Sequence, residues 1–323
     1  MKAIQAGLAL GVALCVAPLF LQARADDMPP AWAYAVNPPD FKPEPDDGKP
    51  RHVPDSSATY TVMQARDLFS ALDWHPSDHP PMPDIVAHGR KPDVRACGVC
   101  HRADGPGGPE NVGIAGLPKQ YILQQMADFK SGARTTSVSQ RGPPQLMTTV
   151  AKAITDAENE AAADYFSALT PRAAIKLVET DTVPKTRVAG WFLASLPGGE
   201  KEPIAGRIIE VPDDLERFEM RDSHSRFTAY VPLGSIEKGR QFVLSGGNGK
   251  TAACTICHGP GLNGVGPIPG FAGRSPSYIV RQLYDFQHGV RAGPWSPLMA
   301  PNVINLTIGD MVAIAAYAAS LPP

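Results

Sequence analysis

The pattern of apolar and polar positions predicts helices in both halves of the chain and a different structure between them. Each half ends in an apolar helical stretch that begins with a hydroxyl residue and, three positions later, a carboxylate, which together form a capping box. In the first half the box consists of Thr155 and Glu158, and the helix is predicted to end at Leu169. In the second half the box consists of Thr307 and Asp310, and the helix is predicted to end at Leu321. An earlier helix in each half is predicted to end near Gly132 and Gly289, because glycine tolerates the left-handed conformation that closes a last turn.

Residues 172–233 have the pattern of short strands. β-branched and aromatic side chains are frequent here, as in TRVAGWFLASL and RFTAYV, and proline and glycine turns separate the runs. We therefore expect a mainly α protein in which a small β-rich insert lies between two helical domains, at residues 93–171 and 234–323. We also expect that this insert can be replaced without damaging either domain.

The first 25 residues have the order of a secretory signal peptide. Lys2 precedes an apolar run over residues 3–21, and the small-residue sequence Ala23-Arg24-Ala25 follows it. This order predicts export to the periplasm and cleavage before Asp26. A retained membrane anchor is the alternative, since the run is about long enough to span a bilayer.

Residues 26–92 form a proline-rich extension ahead of the first domain. Residues 26–59 show little apolar periodicity, so an extended arm is expected there. A short amphipathic helix is predicted over residues 60–74, where Val62 and Leu72 lie near one face.

A repeat relates the two helical domains. Residues 114–134 align without gaps on 271–291, with nine of 21 positions identical, and residues 146–169 align on 298–321. Each half therefore runs in the order cysteine motif, glycine-rich loop, helix, methionine-bearing loop and final helix. A shared register of this kind indicates that the two halves have the same fold.

Net charge and cysteine use narrow the classes of function. Without the signal peptide 28 basic and 32 acidic residues remain, a formal charge of −4, so the sequence lacks the basic surface that nucleic-acid binding needs. Cys15 lies in the signal peptide. The other four cysteines form two Cys-x-x-Cys pairs, each followed at once by histidine.

These two motifs, CGVCH at 97–101 and CTICH at 254–258, have the form that attaches haem c. Two thiols three positions apart can each add to one vinyl group of a haem, and the adjacent histidine then supplies a nitrogen ligand to the iron. The pattern predicts two covalently bound haem c groups, whereas zinc sites and redox dithiols are the alternatives. The expected residues are Cys97, Cys100 and His101 for the first haem, and Cys254, Cys257 and His258 for the second.

Both halves resemble class I cytochrome c domains, and the tandem resembles the dihaem c-four type of the bacterial periplasm. The likeness rests on CHRADG and CHGPG, the turns IAG and FAG, the helix ends DFKSGAR and DFQHGVR, and the Leu-Met pairs. It covers a little over half of the chain. The resemblance implies that Met147 and Met299 are the second axial ligands and that the activity is the transfer of single electrons.

The first half departs from this pattern at two points. Domains of this family carry a proline before the turn, and its carbonyl receives the ligand histidine's N–H; Pro269 fits, but the first half has Val112. The direction of that carbonyl is therefore expected to be less fixed at the first haem. Pro92 also interrupts any helix directly before the first motif, so residues 60–74 are expected to supply that helix.

The expected function is that of a periplasmic electron carrier between a respiratory or dehydrogenase donor and a terminal acceptor, not an enzyme. The expected partners are donor and acceptor redox proteins, with peripheral association to a membrane complex. Two alternatives stay open, a dihaem peroxidase, which needs an iron with an open position, and an electron-accepting subunit of a dehydrogenase complex. Arg134 and Arg291 are expected either to pair with haem propionates or to lie on the surface.

Overall fold

The computed structural model describes residues 28–43 and 45–323. This part of the chain contains twelve helices and nine strands. The helices are α1 (Val62–Arg66), α2 (Asp84–Ala87), α3 (Cys97–His101), α4 (Lys119–Ser131), α5 (Gly142–Ala153), α6 (Asp156–Ala168), α7 (Leu215–Glu219), α8 (Ser235–Ser245), α9 (Thr255–His258), α10 (Pro276–Gln287), α11 (Ser296–Val303) and α12 (Ile308–Ser320). The strands are β1 (Ile175–Glu179), β2 (Thr182–Pro184), β3 (Thr186–Ala189), β4 (Phe192–Ser195), β5 (Lys201–Pro203), β6 (Ile209–Pro212), β7 (Phe227–Val231), β8 (Gly264–Val265) and β9 (Ile268–Pro269). The expected signal peptide, with Cys15, lies outside the described residues.

The first half builds its core between α2 and the helices α4 to α6. Phe166 of α6 is fully buried, and Val86 and Val150 belong to the same cluster. The predicted capping box of α6 is confirmed, because the Thr155 hydroxyl accepts from the Glu158 N–H at 3.3 Å and the Glu158 carboxylate accepts from the Thr155 N–H at 2.8 Å. The helix α4 ends at Gly132, whose φ of 81° is left-handed, as predicted.

The second half packs α12 against both α8 and α10. The approach of α8 is close, since a Cβ atom at Gly239 would lie 1.9 Å from the Ala313 carbonyl oxygen, and only glycine fits there. The capping box of Thr307 and Asp310 is confirmed at 3.2 and 3.1 Å.

No single helix in the described ranges is long and apolar enough to cross a membrane. The helices α11 and α12, bent by 117° relative to each other, meet the length and composition criteria only as a pair.

Met147 and Met299 lie on helices, and the prediction that they lie in loops is wrong. Met147 is in the middle of α5, and Met299 is in α11. Both helices carry proline in the first turn. Proline is well placed there because the first N–H groups of a helix have no intrahelical acceptor and because its fixed φ suits a helix.

The strands β1 to β7 lie between Ile175 and Val231. A three-stranded sheet has β7 at its centre, parallel to β1 and antiparallel to β6, while β2 pairs with β5 and β3 with β4. Ile208 and Val231 are completely buried in one cluster with Tyr284 of the second half. This shared core is at odds with the expectation that the insert can be replaced without damaging either domain.

The helix predicted over residues 60–74 is reduced to the five residues of α1. It ends where the Asp67 carboxylate accepts a hydrogen bond from the Phe69 N–H at 2.9 Å, a local turn that competes with the helix. Ala65 of α1 packs in a cluster with Met220 of the insert. The helix that precedes the first cysteine motif is α2, so the expectation that residues 60–74 supply it is wrong.

The N-terminal arm is packed, not free, at residues 33–35. Tyr34 is buried in the core of the second half, and its hydroxyl donates to the Asp285 carboxylate at 2.7 Å. Burial raises the pKa of this phenol, and the Asp285 charge raises it further. The arm therefore forms part of the second half, although its sequence shows no period that predicts burial.

Candidate haem-binding sites

Each cysteine motif forms a single helical turn. The helix α3 contains Cys97 to His101, and Cys254 is the N-cap of α9. Residues three positions apart share a helix face, so the two thiols of each motif are neighbours. Burial raises the pKa of Cys97 to about 12 and that of Cys254 to about 11. A redox dithiol depends on a lowered thiol pKa, so this chemistry disfavours the redox-dithiol alternative.

The histidine of each motif is oriented by a backbone carbonyl eleven positions later. The Nδ1 atom of His101 lies 2.9 Å from the Val112 oxygen, and that of His258 lies 2.8 Å from the Pro269 oxygen. A carbonyl can only accept, so Nδ1 carries the proton and the Nε2 lone pair is available to a metal. Valine and proline present the same backbone acceptor, so the contact is made in both halves at distances that differ by 0.1 Å.

Burial also favours the neutral form of both rings. It lowers the pKa of His101 and of His258, and the carbonyl hydrogen bonds only partly oppose this shift. The ring of Phe271 lies edge-on to His258, with centroids 4.8 Å apart, and Phe166 holds the same kind of contact with His101 at 6.2 Å. Neutral, oriented imidazoles are the form in which histidine binds iron.

A cavity in the first half brings two of the predicted ligands together. His101 and Met147 both line it, and its empty volume is about 930 Å³ including the open mouth. Apolar walls come from α4, and the second half closes one side. The residues that line this side are Tyr278, Arg281, Gln282 and Asp285. The imidazole and the thioether on its walls, with the two thiols just before His101 in the sequence, are the residue types that hold a haem c.

At the second motif a haem-attaching cysteine and the predicted ligand Met299 pack against one core. Cys254, Met299 and Phe271 are all partly buried against the large cluster of the second half. His258 is half-buried and Cys257 is exposed. The second motif is therefore more exposed than the first, where His101 is buried.

The geometry does not support zinc at the cysteine motifs. Within the described ranges, one group of histidine, cysteine and acidic side chains is close enough to share a metal ion, and it consists of Asp78, Asp104 and His224. It contains no motif residue. Arg172 lies 2.6 Å from the Asp78 carboxylate and already provides a cation there.

Arg134 and Arg291 are buried between the halves, so a surface location is wrong for both. Arg134 donates to Gln125 at 2.9 Å and to Gln282 at 3.0 Å, and Arg291 donates to the same two oxygens at 2.7 and 3.0 Å. Sequence reasoning did not single out the two glutamines. The signal was available, because Gln125 and Gln282 are identical positions of the repeat.

Comparison with known proteins identifies the family of the chain, although no family model matches it. The chain is 38% identical over 84 residues to cytochrome c-554(547) of Halothiobacillus neapolitanus, covering 23% of this chain and 92% of that protein. It is 28% identical over 234 residues to a thiosulfate dehydrogenase electron acceptor of Thiomonas intermedia, covering 72% and 81% of the two chains. It is 24% identical over 225 residues to cytochrome c4 of Pseudomonas aeruginosa, covering 68% and 81%.

These likenesses show that the chain belongs to the c-type cytochromes. Within that family it is a dihaem, c4-like class I cytochrome, a class of haem proteins that transport electrons. The resemblance seen in the sequence is thereby confirmed. The relatives are electron-transfer cytochromes and an electron acceptor.

Proposed function

We propose that this protein is an exported dihaem electron carrier of the periplasm that takes single electrons from a dehydrogenase and passes them to a further redox protein. The observation that carries this proposal is the cavity of the first half, which both His101 and Met147 line. A neutral imidazole and a thioether beside a pair of thiols form the donor set of a covalently bound haem with two protein ligands.

Each haem is assigned one pair of cysteines and one pair of axial ligands. Cys97, Cys100, His101 and Met147 hold the first haem, and Cys254, Cys257, His258 and Met299 hold the second. When bound, the haem supplies the one-electron chemistry of its iron. The chain's own residues bind it, orient the histidine rings through the carbonyls of Val112 and Pro269, and exclude water.

The ligand set favours a carrier over an enzyme. A methionine sulfur is a neutral, soft ligand that favours the reduced iron and raises the potential relative to two histidines. An iron with two protein ligands has no open position for a substrate. A dihaem peroxidase needs such a position, and the matching methionines of the two halves argue against one.

We propose a thiosulfate dehydrogenase as the donor. The support is the relative that is named as the electron acceptor of that enzyme, to which 72% of this chain aligns. An accepting subunit of the dehydrogenase complex and a diffusing carrier differ only in how long the two proteins stay together. Co-purification at low protein concentration distinguishes them.

The test is a redox titration of protein matured in a host that exports c-type cytochromes, followed in the visible and near infrared. We expect two low-spin haems, two one-electron steps and two sulfur–iron bands. Mass spectrometry should find a chain that begins at Asp26 with two haem masses on the cysteine pairs. A single sulfur–iron band or a high-spin ferric iron, together with peroxide turnover, would favour the peroxidase. If thiosulfate and its dehydrogenase do not reduce the protein, the proposed donor is wrong, but the proposed carrier function is unaffected.

A further inference from the structure

The two cysteine motifs differ in exposure, although their halves share a repeat. Val99, inside the first motif, is 2% exposed, whereas Ile256 at the matching position of the second motif is 74% exposed. Cys100 is half-buried and Cys257 is exposed. The repeat alone predicts equal exposure. The difference must therefore arise from what surrounds each motif.

Parts of the chain outside the repeat cover the first motif. A Cβ atom at Gly98 would lie 2.9 Å from the Ala71 side chain and 3.0 Å from the Val86 carbonyl, both in the N-terminal extension. Arg102, directly after the motif, is 1% exposed and stacks on Phe218 of the insert, 4.9 Å from the ring centroid. The extension and the insert together shield this motif from an approaching protein.

The second motif lies in a face that has no charged side chains, which we call the uncharged face. It consists of residues 251–273 and 292–309, which contain no aspartate, glutamate, lysine or arginine. The two segments are joined at Asn302, whose side-chain oxygen accepts from the Ala252 N–H at 3.2 Å. The matching first segment of the other half, residues 94–116, carries four charged residues.

Large apolar side chains are exposed in this face. Of nine such side chains in the described part of the chain, four lie in its two short segments. They are Ile256, Val265, Leu298 and Ile304, which are 74%, 55%, 71% and 60% exposed. Single exposed apolar residues are ordinary in a soluble protein, but their concentration around one site marks an interaction surface.

The charged residues that border the uncharged face lie in one ion cluster or are at least half-buried, as Arg274 is. Lys250 lies 2.7 Å from the Asp310 carboxylate, and Lys238 contacts the same carboxylate at 2.9 Å. Arg291 is buried between the halves. The two lysines share one carboxylate, so this border keeps one net positive charge, but the face itself presents no charged side chain and contact with it depends on apolar burial.

We propose that the second haem site is the port through which this protein exchanges electrons with its partner, which docks on the uncharged face. The partner is a redox protein that presents a similarly uncharged, apolar rim around its own cofactor. A charged rim would lose its hydration here without gaining an opposite charge. The inference rests on the proposed function and gives the insert and the extension a role, which is to confine docking to one of two similar sites.

Stopped-flow measurement with a reduced monohaem cytochrome c of low net charge tests the port. The exchange rate constant of the wild-type holoprotein should change by less than about threefold between low and physiological salt, because no charges face each other. Ile256→Lys and Leu298→Lys should each lower it by at least about tenfold, since a lysine must be desolvated on docking. Leu233→Lys is the matched control. Leu233 is 68% exposed but lies outside the uncharged face, so its variant should stay within about twofold of the wild type.

Spectra and potentials separate docking from damage to the site. All three variants should keep wild-type visible spectra, and the rate constants are compared after allowing for the measured reduction potentials of each variant. If the haems load normally but Ile256→Lys behaves like Leu233→Lys, or if the rate falls steeply with salt, the port is wrong while the carrier function stands. If no haem is bound, the proposed function itself fails.

Hydroxyl-radical footprinting of the same holoprotein gives a readout independent of rate. Ile256 and Leu298 should be labelled in the free protein and protected by the monohaem probe, whereas Val99 should stay unlabelled in both. Protection around the first motif instead would overturn the proposal. So would a dimer of this chain in sedimentation that Ile256→Lys dissociates, because the face would then be a contact between two copies.

Discussion

Arg134 and Arg291 lie opposite each other as an antiparallel bridge across the boundary between the two halves. Each guanidinium donates to the glutamine of its own half and to that of the other, so the side-chain oxygens of Gln125 and Gln282 each accept from both arginines. The repeat has thus placed equivalent residues on an approximate two-fold axis. The boundary between the halves is therefore polar and buried, and the two glutamine oxygens depend on hydrogen-bond donors held in a fixed geometry.

Replacing Arg134 with lysine should therefore destabilise the contact between the halves. A single ammonium group cannot reproduce the planar fork that reaches Gln125, Gln282 and Tyr278 at once. We expect a loss of about 1–3 kcal/mol in the free energy of unfolding, measured by urea denaturation. Lys130→Arg, at an exposed position of α4 four residues earlier, is the control, and equal stability of the two variants would contradict this account.

Exchange of the proposed methionine ligands should affect one haem at a time. Met147→His should lower the potential of the first haem and remove one near-infrared sulfur–iron band, because imidazole replaces a thioether that favours reduced iron. Met299→His should do the same at the second haem. Potentiometry with near-infrared spectroscopy measures both. Two bands that persist in either variant would exclude that methionine as a ligand.

Pro269→Val should have little effect on the second haem. The acceptor for His258 is a backbone carbonyl, and valine at the equivalent Val112 holds the same contact to His101 within 0.1 Å. We expect the reduction potential of the second haem to change by less than about 59 mV, which is the shift that corresponds to a tenfold change in the equilibrium constant of a one-electron reduction. A larger shift, or a change in the histidine ligand band, would show that the proline ring itself matters.

Glu210 should make stability depend on pH. This carboxylate of β6 is 2% exposed, and burial raises its pKa, although the hydroxyls of Ser275 and Ser277 donate to it at 2.7 and 2.6 Å. Above the ordinary glutamate pKa of about 4.3 the unfolded chain loses this proton first, so rising pH favours unfolding until the folded group also ionises. As pH rises above about 4.5, Glu210→Gln should gain stability relative to the wild type in urea titrations. A difference that does not vary with pH would contradict the shift.

Ile208→Ala should destabilise the insert and the second haem domain together. Ile208 is completely buried in the core that the insert shares with Tyr284, so a cavity there should cost about 2–5 kcal/mol. We expect the circular dichroism of the sheet and the absorbance of the second haem to be lost in one transition. Leu196→Ala, at an exposed position of the insert, is the control. Separate transitions would mean that the insert folds alone.

Several features of this protein could be predicted from sequence because their causes are local. The capping boxes at Thr155 and Thr307 join residues three positions apart, and each haem motif places two thiols and a histidine within five. The glycine that ends α4 acts on a single turn. The internal repeat then extends each local inference to the other half, which is how the shared fold of the two halves could be recognised.

Only the tertiary structure decided which haem site faces solvent and how the halves meet. Arg102 lies against Phe218, and Tyr34 lies against Asp285, across more than a hundred positions of chain in each case. The position of Met147 on a helix depends likewise on its surroundings, because a proline-rich stretch fits both a loop and a first helical turn. Burial depends on which distant segments pack over a residue, and a pattern read over three or four neighbours carries no information about them.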